Sequence, residues 1–86
     1  MISNEKKGPM VSVGFGNYVF RDAIVAILTA DSAPAKRILH RARENEVLMD
    51  ATSGRKTRSA IVTGTYIIAS AISPDTIAER AAWPEG

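Results

Sequence analysis

The hydrophobic pattern of this chain changes its period between residues 23–29 and residues 35–42, and this change restricts the fold. Residues 23–29 read Ala-Ile-Val-Ala-Ile-Leu-Thr. A short, continuous apolar run with this β-branched content favours a buried strand. From Ala35 to Ala42, apolar residues recur every three or four positions, which is the spacing of one helical face. A chain that contains both periods is predicted to have an α+β fold.

Two serines predict where helices begin. Ser32 and Ser73 are each followed within two residues by a proline. A serine side chain can cap the free N–H groups of a helix N-terminus, and proline is tolerated in the first turn. We therefore expect one main amphipathic helix over about residues 33–45 and a short C-terminal helix over residues 74–80.

The remaining apolar runs are short and β-rich, and with residues 23–29 they predict about five strands. They lie at residues 10–13, 47–49, 59–63 and 65–70. Gly64 separates the last two runs and marks a tight hairpin. Residues 14–17 read Gly-Phe-Gly-Asn and are predicted as a bend in which glycine and asparagine adopt positive φ. They lack the third glycine of a dinucleotide-binding loop.

The length and composition fit one small domain of 86 residues without disulfides, because the chain has no cysteine. We predict a flexible tail at residues 1–9, a single domain at residues 10–82 and a C-terminal end at residues 83–86. The opening residues lack the apolar centre of a signal peptide, and no apolar run approaches the roughly 20 residues of a membrane span. A cytoplasmic protein without membrane attachment is the expectation.

Catalysis has little support in the sequence. His40 is the only histidine, and its place among the cations of the predicted helix indicates a surface residue. No serine is tied by the sequence to a histidine–acid pair, and no cluster has metal-ligand spacing. We therefore predict a protein that is not an enzyme, with no catalytic residues, metal, cofactor or small-molecule substrate.

Residues 53–58 read Ser-Gly-Arg-Lys-Thr-Arg and concentrate three cations directly after a turn signal. The wider stretch from Lys36 to Arg58 has seven Lys and Arg residues against three acids, whereas the rest of the chain has four against six. This asymmetry predicts a basic face that favours polyanions and a mildly acidic one that favours head-to-tail contacts between copies. Arginine and lysine on an outward turn can bind nucleic-acid phosphates. The alternative is a solvated hairpin turn kept basic for solubility.

Several motifs, taken in their order, resemble the RemA family of small bacterial regulators, which are named for the control of extracellular-matrix genes. The resembling segments are residues 14–17, 31–34, 36–38, 42–44, 50–52, 54–58 and 73–76. They extend over roughly residues 10–80 with unbroken spacing. The resemblance implies a LytTR-like fold and a homo-oligomeric ring whose basic surface binds and bends double-stranded DNA.

The resemblance also implies which residues contact DNA, namely Arg55, Lys56 and Arg58. Lys56 stands where the family has a second arginine, so it keeps the charge and lacks the planar fork for bidentate contacts. Ala23 stands where the family has another DNA-contacting arginine. Arg21 lies two residues earlier and would share that face in an extended segment, so we take it as the hypothetical substitute.

Two other functions fit the same residues. An oligomeric structural or interaction module could use the basic face to bind an acidic protein partner. RNA binding would need aromatic side chains that stack on bases, whereas Phe15, Tyr18 and Phe20 are more simply explained as core or subunit contacts. The sequence does not identify target genes, an operator, a regulatory signal or the number of subunits.

Two interpretations are open for Asp50 and two for the cations of the predicted helix. Asp50 could fix the basic turn through Arg58 or through backbone N–H groups. The helical cations Lys36, Arg37 and Arg43 could extend a DNA-binding face or pair with acids of a neighbouring copy. The sequence supports both interpretations of these cations equally.

Overall fold

The computed structural model describes residues 9–82 and confirms the α+β prediction. In this part of the chain, six strands form two sheets, and two α-helices pack on them. The elements are β1 Met10–Gly14, β2 Asn17–Phe20, β3 Ile24–Thr29, α1 Ala33–Glu44, β4 Leu48–Asp50, β5 Ser59–Thr63, β6 Ile67–Ser70 and α2 Pro74–Ala81. The predicted tail and C-terminal end lie outside the described residues, apart from Pro9. A single domain at residues 10–82 and a LytTR-like fold stay predictions.

The larger sheet has four strands in the order β3-β5-β6-β4. β5 is antiparallel to both of its neighbours, and β4 is parallel to β6. α1 carries the chain from β3 at one edge to β4 at the opposite edge. The basic residues 52–58 then cross from β4 to β5 past β6, which lies between these strands. This segment is therefore a crossover loop and not the turn of a hairpin.

β1 and β2 form a separate antiparallel hairpin, and β2 is absent from the sequence prediction. The predicted Gly-Phe-Gly-Asn bend is the tip of this hairpin. Positive φ occurs at Gly14, Phe15 and Gly16, so the prediction was wrong in giving it to asparagine. Asn17 instead donates a side-chain hydrogen bond to the Gly14 carbonyl oxygen over 3.0 Å. The sequence did not predict β2, because a strand of four residues with three exposed has no clear apolar pattern.

One face of the larger sheet packs against the hairpin and α2. The buried cluster contains Val11, Val13 and Val19 of the hairpin, Ile61 and Ile68 of the sheet, and Ile77 of α2. Both Ile61 and Ile77 are fully buried. Burying each such aliphatic side chain contributes about 1.5–3 kcal/mol. The cluster therefore fixes the hairpin firmly to the sheet.

α1 lies on the opposite face of the larger sheet, over β6 and β4. Ala60 pairs with Ala69, and both are buried. Because successive strand residues alternate, this pair faces away from the isoleucines of the main cluster. α1 packs against β6 and β4 and buries Ala35 and Ala42. Small side chains on α1 and in the sheet allow the helix to approach closely.

Both predicted helix N-caps are confirmed. The Ser32 hydroxyl accepts a hydrogen bond from the Ala35 N–H over 3.2 Å, and the Ser73 hydroxyl accepts one from the Thr76 N–H over 3.3 Å. Each cap contributes about 1 kcal/mol. Both helices end within one residue of their predicted ends.

Candidate nucleic-acid interface

The basic loop, residues 52–58, lies at one end of the strands of the larger sheet, where β3, β4 and β6 end and β5 begins. Ser59, the first residue of β5, pairs with Thr29 and with Ser70. α1 and α2 begin beyond the same end of the sheet, since they follow β3 and β6 along the chain. Lys56 and Arg58 line a cleft with Asp31, just before α1, and with Ser73 and Pro74 at the start of α2. The partial positive charges of two helix N-termini therefore lie near these two cations.

The first half of the basic loop is a tight turn fixed by Asp50. The Arg55 N–H donates to the Thr52 carbonyl oxygen over 3.0 Å. The central residues Ser53 and Gly54 have φ of 53° and 80°, the signs of a type I′ turn. The Asp50 carboxylate accepts hydrogen bonds from the Thr52 N–H over 2.9 Å and from its hydroxyl over 2.6 Å. Of the two interpretations of Asp50, the structure shows the hydrogen bond to a backbone N–H.

These hydrogen bonds change the acidity of Asp50. The Thr52 hydroxyl is the main cause that lowers the pKa of Asp50 below its ordinary value of 3.8, and the Thr52 N–H lowers it further. Burial opposes these two effects by raising the pKa, and the nearby Arg43 guanidinium lowers it by a lesser amount. The carboxylate is therefore ionised at neutral pH, where it accepts both bonds.

The second half of the basic loop is fixed through the backbone of Arg58. Its N–H donates to the Ser70 carbonyl oxygen over 2.8 Å, and its own carbonyl oxygen accepts from the Ala30 N–H over 3.0 Å. These bonds extend the ladder of the larger sheet by one residue beyond β5. Both ends of the loop are thus attached to regular structure.

The three cations of the basic loop point into solvent from this fixed backbone. Arg55, Lys56 and Arg58 are all exposed. Among residues 9–82, no ion pair joins any of them to an acid. Asp31 lines a cleft with Lys56 and Arg58 without forming an ion pair with either, so these charges remain accessible to an external anion.

The tip of the β1–β2 hairpin lies beside the basic loop, a contact that sequence reasoning missed. The Phe15 ring lies 5.1 Å from the Arg55 guanidinium carbon, measured to the ring centroid. Phe15 also lines an open cleft of about 300 Å³ together with Arg55, Lys56, Arg58, Ala71 and Ile72. The Gly-Phe-Gly sequence signals a turn, but nothing in it indicates which distant loop the turn will meet.

Arg21 is not brought to the basic loop. It begins a 3₁₀ turn over Arg21–Ala23 and is only 6% exposed, whereas the hypothesis of a DNA contact requires an extended segment there. Because β2 leads away from the hairpin tip, Arg21 lies at the far end of the hairpin from Phe15. A DNA contact by Arg21 stays a prediction.

The cations of α1 are exposed, and His40 is a surface residue as predicted. His40 Nε2 lies 3.3 Å from the Glu44 carboxylate, one turn further along the helix. Within the described residues, no three His, Asp or Glu side chains are grouped to hold a metal ion. Neither described helix has the length and apolar character of a membrane span.

Comparison with known proteins identifies the family. The model of a family described as RemA-like, extracellular matrix regulatory protein A-like, matches residues 10–81, which include every described strand and helix. The chain belongs to the RemA-like family. This result confirms the resemblance found in the sequence.

Relatives with curated names are similar to this chain over most of their length. A candidate regulatory protein of Caldicellulosiruptor saccharolyticus is 45% identical over 85 residues, which is 98% of this chain and 84% of the relative. One from Alkaliphilus oremlandii is 51% identical over 72 residues, covering 83% and 77% of the two chains. One from Halothermothrix orenii is 42% identical over 78 residues, covering 90% and 93%. The family and these names indicate a regulatory protein.

Proposed function

We propose that this RemA-like protein is a cytoplasmic, homo-oligomeric regulator that binds double-stranded DNA through its basic loop and catalyses no reaction. The observation that supports the proposal is the basic loop itself, which carries three exposed cations without an acidic partner on a backbone fixed at both ends. Arg55, Lys56 and Arg58 would each contact a phosphate group.

The fixed backbone of the loop matters for affinity. A binding loop that is already ordered loses less conformational entropy when it meets its ligand. Arg55 and Arg58 can each offer two parallel N–H donors to a phosphate, whereas Lys56 acts as a point charge. The loop is therefore suited to backbone contacts, which position a duplex without reading its sequence.

Three phosphate contacts give weak binding in one subunit. Each contact releases counterions, so the affinity falls steeply as salt is raised. Repetition of the loop on several assembled copies makes every further contact intramolecular and raises avidity without new chemistry. The proposed function therefore needs self-association, and a closed ring is the arrangement implied by the family resemblance.

An exposed apolar surface on the hairpin supports self-association. Met10, Tyr18 and Phe20 are 41%, 60% and 61% exposed. Met10 pairs with Phe20 across the hairpin, and Tyr18 pairs with Ser12, so these side chains share its outer face. Clustered large apolar side chains on a small protein mark an interaction surface. Contact of this face with another copy, repeated head to tail, would close a ring.

Specificity in such an assembly would come from DNA shape. A ring of basic loops follows the phosphate backbone, and sequences that bend at low cost would bind better than stiff ones. Target recognition would then depend on the flexibility and spacing of sites more than on base-edge contacts.

The proposal is tested by the salt dependence of duplex binding. Fluorescence anisotropy with a labelled duplex of mixed sequence gives the slope of log affinity against log salt. We expect Arg55→Ala, Lys56→Ala and Arg58→Ala each to reduce that slope by about 0.9 for every phosphate that the variant no longer neutralises. Arg41→Ala is the matched control, because Arg41 lines a different cleft, with Thr63 and Gly64 at the other end of the sheet.

Unchanged slopes in all three loop variants would remove the basic loop from the interface. Stronger binding of single-stranded RNA or of an acidic polypeptide in the same titration would favour one of the two alternative functions. Arg21→Ala belongs in the same series, and an unaltered affinity would show that Arg21 makes no DNA contact.

A further inference from the structure

Phe15 occupies a strained backbone position at the tip of the β1–β2 hairpin. Its φ is 54°, between Gly14 at 104° and Gly16 at 81°. A bulky aromatic residue rarely adopts positive φ, and glycine or asparagine would adopt it at lower cost. A strained residue that the surroundings keep in place points to a role for its side chain.

The surroundings do keep the tip in place. The Ser70 hydroxyl donates to the Val13 carbonyl oxygen over 2.9 Å, which ties β1 to the end of β6. A Cβ atom at Gly14 would lie 3.2 Å from the Ile72 side chain, so the tip packs closely on the connection between β6 and α2. The position of the Phe15 backbone relative to the basic loop is therefore set by the core.

The side chain of Phe15 meets the basic loop at Arg55. The ring is half exposed and lies 5.1 Å from the guanidinium carbon, within the range of a cation–π interaction. Within residues 9–82, the Arg55 side chain makes no hydrogen bond or ion pair that would orient it instead. The ring is thus in a position to orient this guanidinium.

We propose that Phe15 is a positioning residue that orients Arg55 for phosphate binding. A carboxylate partner would occupy the N–H donors of the guanidinium and cancel its charge. An aromatic face contacts the flat side of the group and leaves its five N–H donors free at the edges. The DNA-binding site then consists of two elements, the basic loop and the hairpin tip, although only the loop is basic. This inference rests on the proposed DNA-binding function.

The test compares substitutions at Phe15 in duplex binding at constant low salt. Phe15→Leu removes the aromatic face, and we expect the affinity of each subunit to fall about two- to fivefold. Phe15→Tyr keeps the face and should bind like the unmodified protein. Tyr66→Leu is the matched control, because Tyr66 is an exposed aromatic residue in the β5–β6 connection, away from the basic loop.

A second variant separates positioning from folding. Phe15→Asn also lacks the ring, but asparagine tolerates positive φ better than phenylalanine. We expect Phe15→Asn to fold at least as stably as the unmodified protein by thermal unfolding and still to bind the duplex more weakly. A merely structural role would make stability and affinity fall together.

A double-mutant cycle gives the decisive outcome. If Phe15 acts through Arg55, Phe15→Leu should weaken binding in the unmodified chain and have no further effect in an Arg55→Ala background. Equal reductions in affinity in both backgrounds, or no reduction in either while Arg55→Ala still weakens binding, would overturn the positioning role alone. Duplex affinity unaffected by Arg55→Ala would overturn the role of the basic loop and the positioning role together.

Discussion

Replacement of Asp50 by alanine should destabilise the protein at neutral pH. Asp50 accepts two hydrogen bonds from Thr52, of 2.9 Å and 2.6 Å. A hydrogen bond to a charged group contributes about 1.5–3 kcal/mol where it is shielded from water. Asp50 is exposed, so solvent reduces that value, and we expect Asp50→Ala to lower the free energy of unfolding by about 1 kcal/mol.

The loss of stability caused by Asp50→Ala should become smaller as the pH is lowered. The pKa of Asp50 is lower in the folded protein than the ordinary 3.8, so the unfolded chain binds its proton first as pH falls. The stabilisation by the carboxylate is complete above pH 3.8 and is lost as pH falls through the folded-state pKa. The difference between the variant and the unmodified protein should therefore be largest near neutral pH and shrink in acid.

Urea unfolding followed by circular dichroism measures this difference. The two proteins are compared at equal protein concentration, because self-association adds to apparent stability. Asp50→Asn is the control, since its amide oxygen still accepts a hydrogen bond while it does not titrate. An Asp50→Ala difference that is the same at neutral and acidic pH would refute the role assigned to the carboxylate.

Three further substitutions test the fold. Ile61→Ala removes a fully buried side chain of the main cluster and should lower the free energy of unfolding by about 2–5 kcal/mol in urea. Ser70→Ala leaves the Val13 carbonyl oxygen and the Ile72 N–H without their partner and should cost about 1–3 kcal/mol in the same assay. Gly54→Ala meets no atom within 4 Å, but φ of 80° should make it cost about 1–2 kcal/mol, seen as a lower melting temperature. Unchanged stability would contradict the packing of Ile61, the hydrogen bonds of Ser70 or the backbone strain at Gly54, according to the variant.

Local signals in the sequence predicted most of the elements. β5 at Ser59–Thr63 lies where the apolar run placed it, and both helices begin at the serines that cap them. An alternating or continuous apolar pattern predicts a strand, and a polar cap predicts the start of a helix. Both can be recognised locally, because the forces that form these elements act between near neighbours.

The sequence did not predict the contacts between distant segments. β2 has a single buried residue, Val19, and its pairing with β1 depends on the core beneath the hairpin. The approach of Phe15 to Arg55 results from the same packing across forty residues of sequence. Sequence patterns describe what one segment prefers, whereas these contacts depend on where the whole fold places two segments.

The exposure of the predicted site residues follows from the sequence only in part. Arg55, Lys56 and Arg58 were recognisable because they are adjacent and follow a turn signal, and all three are exposed. The hypothesis for Arg21 starts from the family arginine at the position of Ala23 and requires an extended backbone, whereas Arg21–Ala23 form a 3₁₀ turn. A single arginine gives no sign of its burial, since that depends on the elements around it.

In the proposed function, self-association repeats the basic loop on several subunits, and the assembly binds DNA more strongly than one subunit does. Light scattering of the purified protein, alone and mixed with a duplex in low salt, tests both parts in one measurement. We expect the protein alone to have the mass of several subunits and the mixture to contain a heavier complex that dissociates as salt is added. A single-subunit mass that does not change on addition of the duplex would contradict both self-association and DNA binding.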